Sequence, residues 1–430
     1  MPGILFSGHR NAGKTKGWSW CAATLVLTVL VWGAGTAWAQ DSEEQTAERV
    51  QENAGTLTDT YAALPPSRIC VEAETGLVLD EENADLVRPP ASMVKLMLML
   101  LVDEGVAAGR WSYDQLITVS QNAQRMGGSQ AYLKAGEQLS LRTLMETVSV
   151  ISANDAAMAV AEGLWGNVDA YLEEANQRAA ELGMTRTVIR HVHGLPPSDN
   201  VSFDLTTARD MALLGRACAL RPGVLQFTSL SSLVLRPGEN PRNSTNSLLN
   251  DLPGCDGLKT GYIRASGFCV TLTVKRNDVR LVGVFMGYTK LDRFRVAAET
   301  METSFPQVCR VSVAGPDVAV GRPVTVRGGV ESAVHLVVDR ALGAVIRVED
   351  RPGLRLLCEA PAWVDAPVEA GAEAGTVRLV LPGKTEGEYI VLDHAPLRTA
   401  AGVGKKSFWQ RTREWFAVGG RRADKFQPVQ

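Results

Sequence analysis

Ser92 and Lys95 stand three residues apart in Ser92-Met93-Val94-Lys95, at the head of a densely apolar run that ends near Val106. Residues i and i+3 share one face of a helix, so the run predicts a helix that sets the hydroxyl beside the amine. A serine hydroxyl becomes a useful nucleophile only when a base takes its proton. Lys95 can be that base if burial or a second cation pulls its pKa down. Its neighbours Val94, Leu96, Met97, Leu98 and Met99 offer no acid within a turn. An unpaired lysine in an all-apolar helix is costly and calls for a reason. The plain alternative is a lysine snorkelling to the surface beside a helix-capping serine.

Two further clusters follow. Ser152-Ala153-Asn154 lies between two helical patterns, where a turn could aim a hydroxyl and an amide into a cleft. Ser152 could relay a proton and Asn154 could hold a substrate amide, although Ser and Asn also serve simply as caps. Lys259-Thr260-Gly261, followed by Tyr262, falls on a strand pattern. The lysine would attract a carboxylate, the threonine would donate a hydrogen bond, and the glycine would let a substrate approach the backbone. A peptide could then add to the strand edge.

The elements that must carry these residues alternate in type. Arg68 to Val71 and Leu77 to Leu79 predict a hairpin around Glu74-Thr75-Gly76. From Ser92 to Val106 the helix is apolar on every side, which predicts a place at a domain centre. Leu141 to Ala153, Asp155 to Gly163, Asp169 to Leu182 and Leu205 to Cys218 carry helical spacing. Gly267 to Lys275 and Val279 to Met286 predict a second hairpin, and Arg293 to Phe305 a last helix. This is an α+β outline: an antiparallel sheet sharing a core with flanking helices, plus a helical lobe. Beyond Pro306 short strand patterns punctuated by Gly and Pro predict a small all-β sandwich, at 306–398.

S-x-x-K, a serine–asparagine motif and K-T-G, in this order, are the signature of penicillin-binding proteins and class A β-lactamases. With Arg88-Pro89-Pro90-Ala91-Ser92, His193-Gly194-Leu195 and Thr207-Ala208-Arg209-Asp210-Met211-Ala212 beside them, the chain resembles the low-molecular-mass penicillin-binding proteins that are D-alanyl-D-alanine carboxypeptidases. The resemblance runs from about Arg68 to Trp415 and implies a transpeptidase-like catalytic domain at 58–305. It implies that Ser92 attacks the penultimate D-alanine of a peptidoglycan stem peptide and that Lys95 accepts its proton. Ser152 and Lys259 would pass a proton to the leaving D-alanine, and Asn154 would hold the peptide. Thr260 and Arg293 would bind the terminal carboxylate, with Gly261 and Tyr262 lining the subsite. The backbone N–H groups of Ser92 and Tyr262 would form the oxyanion hole. β-Lactam antibiotics would acylate the same serine. The resemblance calls for no cofactor and no metal. Two departures stand out: Tyr262 where many relatives have histidine, and Ala153 where glycine is common.

Rival functions are an endopeptidase cutting D-alanine crosslinks, or a non-catalytic cell-wall-binding protein. A β-lactamase is disfavoured by the lack of a convincing deacylation motif of the E-x-x-L-N type. Gly8 to Thr15 matches a phosphate-binding loop, but the residues after it read as an export signal, so an NTPase is disfavoured. His191 and His193 suggest packing or loop roles, since few other histidines accompany them. A net charge of −3, with 45% hydrophobic and 21% charged residues, gives no pull toward nucleic acid.

The two ends address the chain. Arg10, Lys14 and Lys16 precede an apolar run and Ala37-Trp38-Ala39, which predicts a signal peptide at 1–39 and a polar linker at 40–57. Six of the seven cysteines lie beyond that signal, with wide spacings that fix no pairing. Lys405 to Phe416 sets Phe408, Trp409, Trp415 and Phe416 on one stripe among basic residues. That predicts an amphipathic helix at 404–418 lying on a membrane surface, followed by a basic tail at 419–430. The chain would then work at the outer, periplasmic face of the cytoplasmic membrane.

Overall fold

A computed structural model describes residues 57–413, apart from residues 384 and 386. The signal and nearly all of the linker expected from the sequence lie outside the described residues, as do the end of the proposed anchor helix and the basic tail. No described helix is long and apolar enough to cross a membrane.

The centre is a five-stranded antiparallel sheet built from β1 (Ser67–Glu72), β2 (Val78–Glu82), β3 (Cys255–Ile263), β4 (Gly267–Arg276) and β5 (Val279–Tyr288), in the order β2-β1-β5-β4-β3. The first and last parts of the domain sequence thus meet at β1 and β5. Asn277 and Asp278 both take positive φ in the turn between β4 and β5, as a two-residue hairpin of this twist requires. Both faces of β5 are covered. Val282, Val284 and Met286 face one apolar cluster, which also holds Met211 and Leu214 of the Ala208–Ala219 helix. Leu281 and Phe285 face another, with Ala297 and Met301 of the Asp292–Ser304 helix. The period of two along the strand is therefore read by a helix on each side.

The Lys95–Ala107 helix is buried at every position from Lys95 to Val102, as its all-round apolarity predicts. Ser92 is not on the α-helix itself but in the Ala91–Val94 3₁₀ turn that leads into it, where side chains at i and i+3 lie one above the other. A second difference is the helix expected from Leu205. It starts at Ala208, because the Thr207 side chain accepts the Asp210 N–H and caps it, while Thr206 bridges back to Arg88.

The remaining chain forms small sheets around a separate apolar core that includes Val326, Leu342, Val377, Leu379 and Leu397. Three of its strands, Leu342–Arg347, Arg355–Glu359 and Trp363–Asp365, escape the sequence reading. Arg355–Glu359 is mostly exposed, so its alternation carries no apolar signal. Backbone bonding continues past residue 398: Val403 pairs with Val368, and the Lys406 N–H bonds to Gly328. The helix expected from residue 404 is seen at residues 408–413, with Phe408 and Trp409 exposed. The β-region docks on the catalytic sheet through Val308 and Val345, and through Arg347 bonding the Val78 carbonyl.

Candidate active site

Lys95 is fully buried, and its Nζ has three oxygen partners at hydrogen-bond distance: Ser92 Oγ at 2.9 Å, Asn154 Oδ1 at 2.7 Å and the His193 carbonyl at 2.8 Å. Burial, and after it the charge of Lys259, lower its pKa well below the ordinary lysine range. A neutral amine has two N–H groups and one lone pair. If those two N–H groups go to Asn154 and His193, the lone pair is left for Ser92 Oγ–H, whose other acceptor within reach is the His193 carbonyl at 3.4 Å. The neutral lysine thus has the geometry of a general base toward this serine.

The second cluster sits opposite. Ser152 takes φ +61 between two helices, is buried, and its Oγ has no hydrogen-bond partner among the described residues. Ala91, beside Ser92, is also a non-glycine residue at positive φ, +50. Such conformations cost of order 1–3 kcal/mol and persist where the surroundings over-determine them. Asn154 begins the Asn154–Trp165 helix, and its Nδ2 donates to the Gly127 carbonyl at 2.7 Å.

Asp155, one residue on, was not singled out in the sequence. Its buried carboxylate accepts the N–H groups of Ala131, at 3.0 Å to each oxygen, and of Leu133 at 3.1 Å. Together Asn154 and Asp155 stitch the 127–133 loop to the site, leaving Tyr132 between two anchored amides at φ +58 and exposed. Asp155→Asn keeps one acceptor but turns the other toward those amides as a donor. It is expected to lower stability by about 1–3 kcal/mol, seen as a lower urea midpoint.

The third cluster lies on β3, an edge strand of the sheet. Lys259 is buried, and burial followed by the charge of Arg293 lowers its pKa to about 7. Thr260 Oγ1 donates to Thr245 Oγ1 at 2.6 Å, a partner with no sequence signal. A Cβ on Gly261 would lie 2.9 Å from the Pro90 carbonyl oxygen and 3.2 Å from the Ser92 nitrogen, so only glycine lets β3 lie this close to the Ser92 turn. Tyr262 is exposed and stacks on Phe268, with ring centroids 4.1 Å apart. Arg293 is buried between the rings of Phe268 and Phe294, and its Nη1 approaches the carbonyls of Cys269 at 3.2 Å and Gly261 at 3.5 Å. It therefore reaches the site through charge on Lys259 more directly than through an open guanidinium.

The loop or packing role expected for His193 does not include what its backbone does: its carbonyl accepts from Lys95 Nζ. All six cysteines among the described residues are free thiols.

The sequence matches the Peptidase_S11 family, described as D-alanyl-D-alanine carboxypeptidase, over residues 56–290, more than half of the chain. It is 28% identical to the D-alanyl-D-alanine carboxypeptidase DacF of Bacillus subtilis over 359 residues, covering 82% of this chain and 90% of that protein. The fold is similar to that of penicillin-binding protein 5 from Haemophilus influenzae, with a TM-score of 0.61 at 23% identity over 79% of this chain and 97% of the other. It also resembles penicillin-binding protein D2 from Listeria monocytogenes in its ampicillin-bound form, with a TM-score of 0.50 at 31% identity over 56% of this chain and 96% of that one. A serine–lysine pair, a strained serine–asparagine turn and a K-T-G strand edge thus converge within a matching fold and sequence: the chain belongs to the D-alanyl-D-alanine carboxypeptidase family of penicillin-binding proteins.

Proposed function

We propose that this protein is a serine-type carboxypeptidase that removes the terminal D-alanine from peptidoglycan stem pentapeptides through an acyl-enzyme on Ser92. The observation that carries the reading is the Lys95 amine, buried, of lowered pKa, and 2.9 Å from Ser92 Oγ. The peptide lies along the open edge of β3, with its terminal carboxylate toward Thr260 and the positive field of Lys259 and Arg293. Lys95 takes the Ser92 proton as Oγ attacks the penultimate carbonyl. The developing oxyanion is held by the N–H groups of Ser92 and Tyr262. The unpartnered Ser152 hydroxyl, with Lys259, delivers a proton to the leaving D-alanine nitrogen. Asn154 holds the peptide, and water then hydrolyses the ester. A β-lactam takes the place of the dipeptide and acylates Ser92.

Incubation with a fluorescent penicillin and, separately, with a pentapeptide ending in D-Ala-D-Ala tests this. Covalent label mapping to Ser92 together with D-alanine release is expected. Label without release would sink the carboxypeptidase reading in favour of a binding role.

We also infer export and peripheral membrane attachment. The N-terminal signal pattern and the exposed Phe408 and Trp409 beside basic residues support this. Deleting residues 405–430 is expected to move the protein from the membrane to the soluble fraction. Retention on the membrane with the signal cleaved would overturn the anchor.

A further inference from the structure

The His193 carbonyl is one of the two acceptors that orient the Lys95 amine, so whatever fixes that carbonyl also fixes the base. The segment that carries it is tied to one buried carboxylate. Asp204 Oδ1 accepts the Arg190 N–H at 2.6 Å and the His191 N–H at 2.8 Å, and Asp204 is 3% exposed. A side chain also faces it: His191 Nδ1 lies 3.4 Å away, at ion-pair distance though not aligned for a hydrogen bond. The His191 ring stacks on that of His193, with centroids 5.6 Å apart and planes 30° apart. Asp204, His191, His193 and Lys95 thus form one contiguous row, and the Peptidase_S11 chemistry described above uses only the last.

We propose that Asp204 and His191 form an ionisable positioning pair for Lys95, in which Asp204 anchors the segment that aims the lysine and the charge state of the pair governs when Lys95 acts as a base. This inference rests on the serine–lysine reading above.

The charges surrounding the row fix the sign. Lys95 faces Lys259, which opposes its protonation, and Asp204 and Asp155, which favour it. His191 faces Asp204, which favours its protonation, with Asp199 adding to this and Arg190 opposing it. His193 stays neutral, held down to about 3 by burial and by the charges of Lys95 and His191. An Asp204 anion standing alone therefore makes Lys95 harder to deprotonate. A protonated His191 beside that anion cancels much of its charge and makes Lys95 easier to deprotonate. Deprotonation of His191 as the pH rises works against deprotonation of Lys95, and the two sites titrate as a coupled system.

The pair predicts opposite effects for its two members. The measurement is the second-order rate constant for labelling of the full-length protein by a fluorescent penicillin, from about pH 5 to about pH 10. Asp204→Asn removes the anion but keeps an acceptor oxygen for the two backbone N–H groups. Its acid limb is expected to move to lower pH by about 0.5–1 unit. His191→Gln leaves Asp204 uncompensated, and its acid limb is expected to move to higher pH by a smaller amount. The alkaline limb, governed by Lys259, is expected to stay in place in both. Slower labelling at every pH with an unmoved acid limb would mean a structural role only and would overturn the proposal, as would shifts in the same direction. If Asp204→Asn fails to fold, His191→Gln alone decides, since it leaves the backbone bonds to Asp204 intact. Absence of labelling in the unaltered protein at every pH would overturn the serine–lysine reading itself, an outcome distinct from labelling with unmoved limbs.

Discussion

Lys95→Met is expected to slow acylation of Ser92 by penicillin about 10²–10⁴-fold, and Ser92→Ala to abolish it, while both variants remain folded. The size of the lysine effect follows from its proposed role as base. Without a nearby acceptor the Ser92 proton must pass to water, and the hydroxyl returns to its weak intrinsic nucleophilicity. Stability behaves differently because two terms oppose each other. Replacing a buried amine among Leu96, Met97 and Leu98 relieves the cost of holding a polar group there. Leaving Asn154 Oδ1 and the His193 carbonyl without this donor costs about 1–3 kcal/mol. Methionine fills nearly the same volume, so the denaturant midpoint is expected to shift little. A large loss of folding together with the loss of rate would mean that Lys95 is structural. The pH dependence of the unaltered protein carries the same sign. In the proposed mechanism the reactive form is the neutral amine, so the labelling rate is expected to fall as pH drops through the lowered Lys95 pKa.

The three motifs were legible because each depends on residue type at short spacing, and spacing is what a sequence preserves. The buried helix after Ser92 was legible for a related reason: a run without a polar face has nowhere to lie but inside. The apolar, β-branched run from Val279 to Met286 likewise marked its strand, and Arg276-Asn277-Asp278 its turn. What stayed hidden depends on distant backbone. The His193 carbonyl bonds Lys95 from 98 residues away, and every residue type carries a carbonyl. Asp155 was invisible because its partners are main-chain N–H groups of the 127–133 loop, which leave no compositional mark. Thr245 meets Thr260 from a segment with no periodic pattern. Arg293 was placed near the carboxylate subsite by resemblance alone, and the structure adds that its guanidinium is packed between Phe268 and Phe294. Among the missed strands of the β-region, Trp363–Asp365 has only three residues, and Arg355–Glu359 keeps much of its surface in solvent, so the burial pattern that betrays a strand is faint there.

Gly194→Val is expected to be the most damaging substitution outside the motifs, because two independent constraints meet at that position. The residue sits at φ +72, where a side chain is strained, and a β-branched one most of all. A Cβ there would lie 2.1 Å from the carbonyl oxygen of Ala91, a backbone atom that cannot swing aside as a side-chain tip can. To admit it, the His193–Gly194 segment must move away from the Ser92 turn. That motion also withdraws the His193 carbonyl from Lys95. The expected cost is about 3 kcal/mol or more in stability, read as a lower midpoint in denaturant. Labelling of Ser92 in the fraction that remains folded is expected to slow by about tenfold or more, since a displacement near 1 Å at a reacting group is enough for such a loss. A variant that melted early but labelled at the original rate would show that Gly194 serves folding alone. A variant that labelled slowly at unchanged stability would place its whole effect on the carbonyl that aims the lysine.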